Sequence, residues 1–207
     1  MNNRKIIALS IVAALAVGCA AVATQEEDYS ARAAAVMKAS FKEQGQAKLD
    51  RLDQDELQRM CSQYNGDANV PRDVADKIEK AQLATIKYPE GGFMGDWKQG
   101  ERIAQSGVGK QFSDDPKTPS GANCYACHQV SKEEVSFGTI GPTLYQYAKL
   151  RGFTPDVQKY TYGKIYNPDA FAACTNMPRF GHMGILTEQQ IKDVVALLMD
   201  PNSPVNK

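Results

Sequence analysis

Only two histidines, His128 and His182, occur in the 207 residues. That scarcity excludes a metal site built from several imidazoles. Neither sign of charge dominates, since 24 Lys and Arg stand against 24 Asp and Glu. The chain therefore offers no basic field for nucleic acid and no polybasic anchor for a membrane. No repeat and no low-complexity tract is visible, and beyond the amino terminus no run is long and apolar enough to span a bilayer. What is left fits one globular domain with a sizeable appendage.

The amino terminus has the composition of an export signal. Asn2, Asn3, Arg4 and Lys5 make a short basic start, and Ile6 to Val17 is an unbroken apolar and small run. Ala21-Val22-Ala23 then supplies the small-residue pattern cut by signal peptidase, so residues 1–23 are expected to be a removed signal peptide. A competing pattern, Ala16-Val17-Gly18-Cys19, would leave a lipid on Cys19. Both readings put the working chain in the periplasm. Loss of residues 1–23 takes away Arg4 and Lys5 and no acid, which moves the net charge from zero to about −2.

Cysteine spacing carries the chemistry. Of five cysteines, Cys19 is expected to leave with the signal. Cys124 and Cys127 stand in Asn123-Cys124-Tyr125-Ala126-Cys127-His128, the C-x-x-C-H pattern of c-type haem attachment. Two thiols at this spacing can add to the two vinyl groups on one edge of a porphyrin. The histidine next in line is then delivered to the iron. A thioredoxin-like redox pair would need a βαβ context, and zinc would need more Cys or His ligands. Cys61 and Cys174 remain, an even pair in an exported chain, and a disulfide between them is expected; two buried free thiols are the alternative.

The pattern along the chain is helical. Residues 24–92 form a helical extension unlike the rest of the chain. Within it Leu57, Met60, Cys61 and Tyr64 recur at helical spacing, with Asp53 and Glu56 read as a capping pair and Asn65-Gly66 as the stop. A further helix is predicted from about Arg72 to Ile86, and Tyr88 to Gly92 reads as a boundary. Asp96 is placed to cap a helix presenting Trp97, Gly100, Ile103 and Ala104, and residues 107–122 read as a long loop. Tyr145 to Leu150, a helix opened by Thr154-Pro155 and closed at Asn167-Pro168, and a terminal helix capped by Thr187 and Gln190 complete the pattern. In the last, Ile191, Val194, Val195 and Leu198 form an apolar stripe.

Over about residues 93–202 this order of features resembles the class I cytochrome c family. The resemblance implies an all-α fold around one haem c, with residues 93–207 as the cytochrome domain. It also implies a close crossing of first and last helices at Gly100, and a Pro142 carbonyl accepting a hydrogen bond from His128. Met177, in Met177-Pro178, matches the methionine that supplies the second axial ligand in many bacterial members. Met183 and His182 lie near enough to compete, and Met199 belongs to the terminal helix. Histidine with methionine gives a higher potential than two histidines.

A narrower resemblance rests on Gly121 to His128, Gly138-Thr139-Ile140-Gly141-Pro142, Ile165-Tyr166-Asn167, Met177 to Gly181 and Leu186 to Ile191. Together these look like the SoxX family, the monohaem subunits of SoxAX cytochromes in thiosulfate oxidation. The resemblance implies a heterodimer with a SoxA-like haem subunit that joins thiosulfate to a cysteine of a SoxYZ-like carrier, with electrons leaving to a small acceptor cytochrome. The chain would then have no catalytic residue of its own. It would serve as the electron-transfer part of an L-cysteine S-thiosulfotransferase. A free-standing soluble electron carrier is the main alternative, and a haem peroxidase or gas sensor would need an open iron position.

Overall fold

The computed structural model describes residues 29–64 and 69–207. The expected signal peptide and the Asn65-Gly66 stop lie outside the described residues. Among the described residues the architecture is helical, and the sole strand-like pairing is an isolated bridge between Gln44 and Ala47. Helix α1 (Tyr29–Ser40) belongs to one compact unit and residues 42–207 to another. Within the second unit run α2 (Glu56–Ser62), α3 (Arg72–Leu83), α4 (Trp97–Gln105), α5 (Tyr147–Arg151), α6 (Pro155–Tyr166) and α7 (Glu188–Met199). No described helix is long and apolar enough to cross a membrane.

Helix α7 forms where the sequence predicts it. The Thr187 side chain accepts from the Gln190 N–H while Gln190 reaches back to the Thr187 N–H, a reciprocal cap that satisfies two otherwise orphaned donors. The expected stripe is wider than four residues, because every residue from Asp193 to Met199 is buried. A helix apolar on nearly all sides becomes the centre of its domain. Burial of Ile191, Val194, Val195, Leu197 and Leu198 contributes roughly 1.5–3 kcal/mol per side chain.

Helix α4 begins at Asp96, whose side chain accepts from the Lys98 N–H. It crosses α7 at Gly100. A Cβ on Gly100 would lie 2.1 Å from the Asp193 carbonyl oxygen and 3.0 Å from the Leu197 Cβ, so only glycine lets these backbones meet. Two further bonds fix the start of the crossing. The Gly95 N–H donates to the Lys192 carbonyl at 3.0 Å, and the Asp96 N–H donates to the Asp193 carboxylate at 2.9 Å. Asp193, an acid within an apolar stretch, is buried because its carboxylate also accepts from the Gln189 side chain.

Helix α6 starts with Thr154 accepting from the Val157 N–H and Pro155 at its first position, and ends at Asn167. Its Tyr162 is fully buried among Tyr88, Phe93 and Tyr166, with ring centroids 5.6–6.1 Å away. The segment read as a boundary thus docks its one aromatic side chain, Tyr88, onto α6, beside Phe93 just after it. Burial pushes the Tyr162 hydroxyl up to about 12.

One cap differs from the sequence reading. Helix α2 is capped by Asp55 with Gln58, not by Asp53 with Glu56; Asp55 accepts from the Gln58 N–H and Gln58 from the Asp55 N–H. A second small core gathers Leu57, Ala75, Ile78, Ala173 and Cys174, and at its centre Cys61 and Cys174 form a disulfide. The bridge joins residues 113 apart in sequence. A closed loop of that length adds about 2–5 kcal/mol in the chain-entropy account.

The Gly100 crossing gives a direct test. Gly100→Ala forces its new methyl against backbone, and should cost about 1–3 kcal/mol of stability, measured by thermal or urea unfolding of the haem-loaded protein. Unchanged stability would mean that the helices can part without cost.

Candidate haem-binding site

The C-x-x-C-H segment is a single tight turn. Asn123 takes the left-handed conformation (φ 46°), which asparagine tolerates better than most residues. The chain then winds through a short 3₁₀ turn over Cys124–Ala126, with the Cys127 and His128 N–H groups donating to the Cys124 carbonyl at 3.1 and 2.9 Å. Both cysteines are unpaired and half-buried. Burial pushes the Cys124 thiol up to about 12.

Residues 138–144 fold back onto this turn. Gly138 N–H donates to the Tyr125 carbonyl, Gly141 N–H to the Cys127 carbonyl and Leu144 N–H to the Gln129 carbonyl. The result is a bond of 2.7 Å between His128 Nδ1 and the Pro142 carbonyl oxygen, the contact expected from the family resemblance. A carbonyl only accepts, so Nδ1 must carry the proton and Nε2 presents its lone pair. Gly141 makes room for the ring, since a Cβ there would lie 2.1 Å from His128 Cε1.

Cys124, Cys127, His128 and Met177 line one cavity of about 440 Å³, within the size range of small-molecule and cofactor sites. Its apolar walls come from Ala104 of α4, from Val194, Leu197 and Leu198 of α7, and from Leu144, Ile165 and Phe180. The polar part of the wall includes Tyr147, Arg151, Tyr160, Thr161 and Lys164. Two cations and no carboxylate therefore face a space that would take a haem, whose own charged groups are two propionates. Two free thiols, an imidazole with Nε2 exposed, a thioether, flat apolar walls and cationic lining are the donor set that haem c requires. The residues fit the group.

The second-ligand candidates differ in where they lie. Met177 lines the cavity, whereas Met183 is 54% exposed and Met199 is buried in the core of α7; His182 is also outside the lining. Burial and the neighbouring Arg179 cation both push His182 below its ordinary range, against the pull of Asp55. Tyr147, Tyr160 and Arg151 line the cavity, while Tyr145, Tyr162 and Tyr166 do not. Arg151 also stacks over Tyr147, its guanidinium carbon 5.0 Å from the ring centroid.

Sequence reasoning misses Lys164. Its position four residues after Tyr160 puts both on one face of α6, a spacing that could have found it. Its ammonium donates to the Pro168 carbonyl, and burial lowers its pKa while Asp169 and Glu79 oppose the shift. Arg179 is also missed as a structural residue. It is buried, and donates from Nη2 to Asp55 Oδ2 at 2.6 Å. Burial raises the Asp55 carboxyl, but the Gln58 N–H and the Arg179 guanidinium outweigh it and hold the carboxyl below its ordinary value. For Asp169 burial prevails and raises the carboxyl, although Arg179, Lys164 and the Cys174 and Thr175 N–H groups pull it down.

Comparison with known proteins agrees with this geometry. The cytochrome c family model matches residues 108–200. An uncharacterized lipoprotein of Aquifex aeolicus (strain VF5) is 42% identical over 158 residues, covering 74% of this chain and 73% of the relative. A continuous stretch of that share must include residues from about 55 to about 153, so the likeness takes in part of the extension as well as the haem motif. The all-α fold, the haem-attachment turn and the family match together establish that the chain belongs to the cytochrome c family, electron-transfer proteins that bind haem c covalently.

Proposed function

We propose that this chain is the monohaem electron-transfer subunit of a SoxAX-type complex. In this reading Cys124 and Cys127 would hold the haem through thioether bonds, and His128 and Met177 would ligate its iron. The observation that supports the haem assignment is the convergence of these four side chains on one cavity from which Met183 and His182 are absent; the SoxAX role rests on the ordered motifs of the sequence.

Haem c supplies a one-electron iron couple when bound. The chain's own residues tune and orient it. The Pro142 carbonyl fixes the His128 tautomer and increases the basicity of Nε2. The Met177 thioether, a soft ligand, favours the reduced iron and raises the potential relative to a second imidazole. Arg151 and Lys164 supply positive charge to the wall that would meet the propionates. With His128 and Met177 committed, thiosulfate has no coordination position in this subunit. The chemistry on sulfur then belongs to a SoxA-like haem partner acting on a SoxYZ-like carrier, and this chain relays the electrons to a small acceptor cytochrome.

The same reading places the chain outside the cytoplasm, with residues 1–23 or a shorter segment removed. The name of the Aquifex relative, a lipoprotein, favours the pattern ending at Cys19 over cleavage after Ala23. Intact-mass analysis of the native protein decides between them. A chain starting at a diacylated Cys19 is expected; one starting at Thr24 would restore the unanchored form.

Ligation is checked by substitution. Met177→Ala should abolish the sulfur-to-iron charge-transfer band of the oxidised protein and lower its potential, while Met183→Ala leaves both unchanged. A reversed pattern would reassign the ligand to Met183.

The functional reading is tested by reconstitution. Purified chain, SoxA-like subunit, SoxYZ-like carrier, thiosulfate and an acceptor cytochrome are mixed, and haem reduction is followed. Thiosulfate-dependent reduction only in the complete mixture is expected. No association with the partner would reject the SoxAX role and leave a free-standing electron carrier.

A further inference from the structure

The segment bearing Met177 has little internal structure. Residues 174–179 form neither helix nor strand, and the Met177 N–H has only a 3.4 Å contact with Thr175 Oγ1. Its position must therefore come from what holds its two ends. Downstream, Phe180 is buried in the main core, and the Gly181 and His182 N–H groups both donate to the Tyr166 carbonyl at 3.0 Å. Upstream, the Cys174 and Thr175 N–H groups lie close enough to the Asp169 carboxyl to pull its pKa down, against the effect of burial.

Further ties come from residues 42–92. Cys61 of α2 is bonded to Cys174, three residues before Met177. Cys174 itself takes a φ of 59°, a left-handed conformation that a cysteine adopts only where its surroundings over-determine it. Asp55, the cap of α2, takes the Arg179 guanidinium two residues after Met177, with Arg179 only 8% exposed. Leu57, Ala75 and Ile78 pack against Ala173 and Cys174. Behind them, Asn167 Nδ2 donates to Gln82 Oε1 and Thr85 Oγ1, both at 2.9 Å. The same stretch grips the loop leading to the haem motif as well. Gln46 Nε2 donates to the Gly109, Gln111 and Asp114 carbonyls, and Arg51 donates to the Lys110 carbonyl.

We propose that residues 42–92 are a positioning strap for the ligand-bearing segment, with Asp55 acting through Arg179, and Cys61 through Cys174, to keep Met177 in the cavity. The proposal rests on the reading of Met177 as an axial ligand. No described residue of the strap lines the cavity itself. It raises the free energy of local opening in the stretch 174–179, and thereby suppresses exchange of the methionine for ligands from solution. One acid-to-guanidinium bond and one covalent link bracket the methionine on either side, so each can be removed without disturbing the cavity wall.

The test uses the full, haem-loaded chain in its oxidised form and measures the rate at which imidazole displaces the native ligand. Asp55 is 40% exposed in its side chain, so Asp55→Asn is expected to fold. Loss of the charged bond should speed imidazole binding about tenfold, and Asp55→Glu should recover most of the original rate. The double variant Cys61→Ser/Cys174→Ser should bind imidazole faster still and weaken the charge-transfer band. If both variants lower the melting temperature but leave imidazole binding within about twofold of the parent, the strap is structural only and the proposal fails. Met177→Ala separates the two levels. If it changes neither the band nor the imidazole rate, the ligand assignment itself is wrong and the proposal falls with it.

Discussion

Where α4 crosses α7, the backbone at Gly100 lies against the Asp193 carbonyl, at a separation that any side chain would exceed. The cavity is a product of that crossing. Ala104, one turn further along α4, and Val194, Leu197 and Leu198 on α7 form adjoining parts of its wall. Separation of the two helices would widen the wall and expose α7, which is buried on nearly every side. Asp193 reinforces the contact by using its buried carboxylate to accept the N–H at the start of α4. A polar group in the core is tolerated here because its bonds are made within the crossing itself. The reciprocal cap at Thr187 fixes where α7 begins, and so sets the register in which Gly100 and Asp193 meet.

Electrostatics organise the surroundings of Met177. Arg179, Asp55, Asp169 and Lys164 are drawn together around the ligand-bearing segment, partly out of water. Charges in such surroundings are costly unless partnered, and Arg179 finds its partner, Asp55, in a distant stretch of chain. The group therefore encodes long-range geometry more than raw stability. The Asp55–Arg179 bond spans 124 residues, and it is satisfied only when the extension and the methionine segment are both in place.

How much of this is legible in the sequence depends on the range of the interactions. The terminal helix, the Asp96 cap and the Thr154-Pro155 start are local devices, written within four residues of chain, and the structure has them where the sequence indicates. The His128–Pro142 bond is legible because the family order of motifs carries it. The α2 cap shows the limit. Asp53 with Glu56 and Asp55 with Gln58 have the same spacing, so local rules alone cannot choose between them. Asp55 is the cap, and its other carboxylate oxygen meets Arg179, a contact that no window of sequence displays. Lys164 escapes notice for a similar reason, since a lysine on a helix is ordinarily a solvated side chain and its proximity to the cavity depends on how α6 is packed. The Cys61–Cys174 pair is reached by elimination, because only two cysteines remain once the haem motif and Cys19 are set aside.

The disulfide also bears on how the chain matures. Four thiols, those of Cys61, Cys124, Cys127 and Cys174, are present in the described residues of the newly made protein. Of the pairs they can form, only Cys61–Cys174 leaves both Cys124 and Cys127 available for vinyl addition. Chain entropy works against that outcome, since closing a loop of three residues is easier than closing one of 113. An oxidant acting on the unfolded chain would therefore seal the haem-attachment pair first. Productive assembly then follows one of three routes: the near pair is claimed by the porphyrin before oxidation begins, folding of α2 and α3 against residues 167–174 brings the distant pair together first, or an early near-pair disulfide is reduced again by a thiol before haem attachment. The position of the bridge makes the timing of oxidation, relative to haem attachment, a determinant of yield.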